Sequence, residues 1–147
     1  MKTVVAVLVV LFVTAAPSWA VLGESVRSVS SDQQRVRGQL RSVSRQGYSI
    51  EQITAADGAV IKEYVSPAGV IFGVSWQSPA MPDLSQLLGS YFSPFQQASR
   101  SAKRRRRALV VRSNQLVVES GGHPRAFHGI AYVTSLLPAN LSPAVVK

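Results

Sequence analysis

Tyr48-Ser49-Ile50-Glu51-Gln52-Ile53-Thr54, then Asp57-Gly58, Val60 to Val65, Ser66-Pro67-Ala68-Gly69 and Val70 to Trp76, is the stretch that decides the fold. Three runs rich in β-branched and aromatic residues are separated by two turn signals. Asp-Gly suits a tight hairpin and Pro-x-Gly a β-turn, so the three strands should run antiparallel as a meander. Side chains alternate along a strand. Val70, Phe72, Val74 and Trp76 are therefore predicted to share one face, with Ile71, Gly73, Ser75 and Gln77 on the other. Phe72 and Trp76 should be the largest contributors to the core face, each stabilising by roughly 1.5 to 3 kcal/mol when buried.

Upstream, Leu40, Ser42 and Ser44 alternate with Arg41, Val43 and Arg45, a pattern that predicts an edge strand guarded by its arginines. Ser31-Asp32 could cap a short helix ended by Gly38. Downstream, Asp83 opens a helix with Gln86 as its reciprocal capping partner. Leu84, Leu87, Leu88 and Tyr91 form one apolar stripe that needs the meander's face as its cover, and Gly89 would allow a close approach. Ser93-Pro94 should end that helix. Gln96 to Arg107 lacks apolar periodicity and reads as a basic surface linker, 96–107. Strands return at Ala108 to Val111, Leu116 to Glu119 and Ala126 to Val133, with turns at Ser113-Asn114 and Gly121-Gly122-His123-Pro124. The tail from Pro138 reads as irregular. The predicted fold is α+β: a mainly antiparallel sheet of six or seven strands carrying one amphipathic helix.

The beginning of the chain reads as an address. Lys2, the apolar run Val4 to Val13, Pro17 and the small residues Ser18 and Ala20 predict a secretory signal, 1–20, cleaved after Ala20. The run is too short for a membrane span. Residues 21–147 then form a single small domain, exported to the periplasm or the medium, with no transmembrane segment of its own. The chain has no cysteine. It must be held together by packing, without disulfides or thiolate zinc sites. With 46% hydrophobic and 16% charged residues it has the composition of a globular protein. Its net charge of +9 is concentrated, because Arg100, Lys103, Arg104, Arg105, Arg106, Arg107 and Arg112 lie together with no acid between them.

Three ordered blocks resemble a known family. They are Glu63 to Gly69 with Phe72-Gly73-Val74-Ser75-Trp76; Pro82-Asp83-Leu84 with Leu87 to Phe92; and Glu119 to His123 with Arg125-Ala126-Phe127 and Ala131-Tyr132. Together they resemble the bacterial exported proteins described as domain of unknown function 2844, over roughly Tyr48 to Pro138. The resemblance implies a leader and one small domain. It implies no activity, ligand or catalytic residue.

Gly121-Gly122-His123-Pro124-Arg125 is the most suggestive short motif. Its glycines permit close backbone approach, His123 can titrate near neutral pH and Arg125 can fork onto a carboxylate or phosphate. The plainer reading, a glycine-rich turn between strands, is preferred. His123 and His128 are the only histidines and have no carboxylates near them in sequence, so no metal or other cofactor is expected. Ser66 lacks a nucleophile-elbow frame. Arg104, Arg105, Arg106 and Arg107 could contact a polyanion such as an anionic envelope component, with a solvated linker as the plainer alternative. No aromatic residues interleave them, which argues against specific nucleic-acid binding. The expected function is a non-catalytic binding or structural role in the bacterial envelope. The alternative is a small periplasmic hydrolase or transferase acting on an anionic substrate through Gly121, Gly122, His123 and Arg125.

Overall fold

A computed structural model describes residues 22–28, 38–102 and 108–147. The leader with its cleavage position Ala20, the helix expected after Ser31-Asp32 and the basic residues Arg104 to Arg107 lie outside the described residues. Those described form seven strands in one antiparallel sheet. In chain order the elements are β1 (Gln39–Arg45), β2 (Tyr48–Thr54), β3 (Val60–Val65), β4 (Ile71–Ser78), α1 (Leu84–Leu88), a 3-10 turn (Gly89–Tyr91), α2 (Phe92–Ser99), β5 (Leu109–Arg112), β6 (Leu116–His123) and β7 (Ala126–Val133). The spatial order is β1-β2-β3-β4-β7-β6-β5. Two meanders thus meet at β4 and β7, and the expected α+β architecture holds.

The central strand β4 is buried from Ile71 to Trp76, on both faces. Its alternation differs from the expected one. Tyr64 pairs with Gly73 but Val65 with Ile71, which leaves Phe72 as the extra residue of a β-bulge. Phe72 is consequently turned to the face of Tyr64 and Val146, while Val74 and Trp76 pack with Leu87 and Leu88 on the opposite face. The two aromatic anchors of one strand therefore serve two separate cores.

Helices cover one face. Leu87, Leu88 and Phe95 pack against Val74, Trp76, Val111, Val118 and Val133, and Leu22 joins them. The Asp83 carboxylate caps α1 by accepting from the Ser85 amide at 2.9 Å. A second bond from the Ser85 hydroxyl, with the amides of Ser85 and Gln86, holds that carboxyl below the ordinary aspartate range. The expected reciprocal bond from the Gln86 side chain is replaced by its main-chain amide, which donates to the Asp83 carbonyl. Nor does the helical segment end at Ser93-Pro94. Pro94 stands third in α2, in the first turn, where the missing N–H has no helical partner to lose. The stretch read as linker from Gln96 is accordingly helical as far as Ser99.

The chain beyond β7 covers part of the other face. Val146 is only 3% exposed and clusters with Tyr64 and Phe72, flanked by Tyr48, Ile50, Leu141 and Val145. A short 3-10 turn, Pro143–Val145, capped by Ser142, brings it there. Among the described residues no helix is long and apolar enough to cross a membrane.

Candidate functional site

Directly opposed residues in an antiparallel sheet point to the same side, so the register fixes what the tail-side face presents. One row across five strands is Tyr64, Gly73, Tyr132, Val117 and Arg112. The next is Lys62, Ser75, Ile130, Glu119 and Val110. Beyond it stand Val60, Gln77, His128 and Gly121. Val146 lies over the first row, seated on Gly73. Lys147 covers Ser75 in the second row, and the rest of that row and the third row are left open.

The open rows form a hollow of about 330 Å³, within the size range of small-ligand sites, on the order of 300 to 1,000 Å³. Its floor is low where Ser75 and Gly121 carry little or no side chain. Val60, Val110 and Ile130 give it apolar walls, and Gln77, His128 and Lys62 bring polar groups to the same space. Val110 is notably exposed for its type. The carboxylate of Glu119 is paired at 2.9 Å with Arg112, so the two add no net charge to the rim; both are well solvated, and the pair adds little stability.

At the edge of the hollow a polar cluster meets the tail. The Tyr64 hydroxyl donates to the main-chain oxygen of Lys147 and accepts from its amide at 3.0 Å. Ser75 Oγ donates to the same oxygen at 3.1 Å, and Lys62 Nζ reaches it at 3.5 Å. Tyr64 is 1% exposed and Ser75 6%. These are built positions, unlike the mobile side chains of an open surface.

The five-residue motif of the sequence is divided by the fold. Gly121, Gly122 and His123 belong to β6, so the turn is Pro124-Arg125 alone. Gly121 lines the hollow. Gly122, at φ 120°, is required by the hairpin itself, because a Cβ there would stand 2.2 Å from the Ala126 carbonyl oxygen. His123 is exposed and its Nδ1 lies 3.0 Å from the Pro124 carbonyl. Arg125 sits at the tip with φ 72° and donates its amide to Pro79 at 3.0 Å. It borders a shallower cleft with Gly58, Pro79, Phe127 and His128. His128, not His123, reaches the hollow.

Lys62, Ser75, Gln77 and Glu119 were not singled out by sequence. Each looks like an ordinary strand residue; the β3–β4 hairpin sets Lys62 beside Ser75 and Gln77, and the pairing of β4 with β7 and of β7 with β6 brings Glu119 to the same face. On the opposite face Glu51 and Glu63 are directly paired and buried, with Ser42 donating to Glu51 at 2.7 Å. Among the described residues no group of three His, Asp or Glu side chains is placed to hold a metal ion.

One family model, described as "Protein of unknown function (DUF2844)", matches residues 18–146, nearly the whole chain. No curated protein matches, and no solved structure does.

Proposed function

The chain belongs to the family described as Protein of unknown function (DUF2844), and we propose that it is an exported envelope protein that acts by binding, with the open hollow of the sheet as its ligand surface. One observation carries this reading: a hollow of about 330 Å³ with apolar walls and Lys62 at its edge. Such a surface suits a small amphipathic anion, its apolar body against Val60, Val110 and Ile130, its charge toward Lys62, and Gln77 and His128 as hydrogen-bonding groups. The net charge, +9 for the full chain and +8 once Lys2 leaves with the leader, favours the approach of anions generally. Export is supported by Lys2, the apolar run Val4 to Val13 and the small residues before Val21.

The alternative, a hydrolase or transferase acting through Gly121, Gly122, His123 and Arg125, has only Gly121 at the hollow, and the described contact of His123 is the carbonyl of Pro124. Binding is the simpler function for this geometry.

Two measurements test the proposal. Titration of the purified protein with an anilinonaphthalene sulfonate should give saturable one-to-one binding, weakened by Gly121→Val, which fills the hollow. Equal binding by parent and variant would remove the hollow from the account. Mass spectrometry of protein from the native cell envelope should find a chain beginning at Val21. Intact Met1 in cytoplasmic material would refute export.

A further inference from the structure

We infer that the Tyr64–Ser75 cradle beside the hollow is a reading site for an extended peptide, occupied in this structure by the chain's own tail. The inference rests on the binding role of this sheet face proposed above. The occupant shows the chemistry. Both main-chain groups of Lys147 are read, its N–H by the Tyr64 hydroxyl and its oxygen by Tyr64 and Ser75, with Lys62 alongside. The preceding side chain is read as well. Val146 Cγ2 lies where it would be only 2.7 Å from a Cβ at position 73, a space that glycine alone leaves open.

This arrangement recognises a β-branched side chain followed by the main-chain N–H and oxygen of the next residue, and it is blind to the side chain of Lys147, which is exposed. Nothing in it depends on the occupant belonging to the same chain. The segment that delivers the tail holds little regular structure, a single 3-10 turn from Pro143 to Val145. Lys62, Ser75 and Lys147 also border the hollow, so a peptide seated in the cradle continues directly into the ligand space. The tail holds its place through tethering, which supplies an effective concentration on the order of millimolar. A peptide in trans must compete with that.

The test uses full-length protein and a fluorescent synthetic peptide with the sequence of residues 139–147, read by anisotropy. Val146→Asp should expel the tail and leave the cradle intact, so it should bind the peptide at least about tenfold more tightly than the parent. Adding Tyr64→Phe and Ser75→Ala should abolish that gain. Val146→Ala, which retains an apolar side chain and is the safer variant to fold, should show the same order with a smaller gap. The inference is overturned if folded Val146→Asp and Val146→Ala bind no better than the parent, or if the cradle substitutions leave binding unchanged. The sulfonate titration separates the two readings. Probe bound and peptide refused defeats the peptide site and spares the hollow; peptide bound and probe refused does the reverse.

Discussion

The indole of Trp76 occupies the space that a side chain on Gly129 would need: a Cβ there would stand 2.2 Å from Cζ2 and 2.6 Å from Cε2. The two residues are directly opposed on β4 and β7, so this contact locks the strands that join the meanders. Gly129→Ala should cost about 1 to 3 kcal/mol, typical of overpacking in a rigid core. Denaturant unfolding checks the magnitude. An unchanged midpoint would mean that the β4–β7 seam is looser than described.

Gly73 plays the corresponding part on the other face, receiving Val146. Gly73→Ala should unseat the tail, and Tyr64→Phe should remove its main-chain bonds at about 0.5 to 1.5 kcal/mol. Amide exchange at Val146 and Lys147 should quicken in both variants while the β6 and β7 amides stay protected. Uniform quickening throughout the sheet would show instead that the tail contributes to global stability.

Those two glycines mark what the sequence made legible and what it hid. Strands from Tyr48 to Val65 and from Ala126 to Val133 are readable from composition and turns, as is the stripe of Leu84, Leu87 and Leu88. The bulge at Phe72 is not, because it arises from register between β3 and β4, and a period-two reading assumes that no residue is extra. The site was hidden for a related reason. Ser75, His128 and Glu119 meet only because β7 returns to β4, a pairing between distant segments that no local pattern encodes. The tail's small residues and prolines signal irregular backbone correctly but say nothing of the Gly73 slot that Val146 fills.

Asp83 gives a pH-dependent prediction. Its carboxyl is held low in the folded state by Ser85, so its stabilisation is present above the ordinary aspartate pKa and is lost as pH falls through the lower, folded value. Asp83→Ala should cost about 0.5 to 2 kcal/mol at neutral pH. The difference from the parent should shrink at an acidic pH below the folded value, where the carboxyl is protonated in both states. Denaturant melts at the two pH values check this, and a penalty independent of pH would contradict capping by the charged form.

Arg125 holds a left-handed conformation, φ 72°, at the tip of the β6–β7 hairpin. Arg125→Gly keeps the amide that bonds Pro79 and relieves the backbone, so it should be neutral or raise stability by up to about 1 kcal/mol. Arg125→Val should destabilise, since a β-branched residue tolerates positive φ poorly. Thermal melts of the pair decide the matter. Destabilisation by glycine would show that the guanidinium has a structural partner.

Ligand binding by the open rows of the sheet is read residue by residue in amide-resolved NMR during titration with the anilinonaphthalene sulfonate. Saturable shifts should cluster at Lys62, Ser75, Gln77, Gly121 and His128 and disappear in Gly121→Val. Shifts confined to the helix-covered face or scattered over the surface, or a folded protein that shows none, would contradict it.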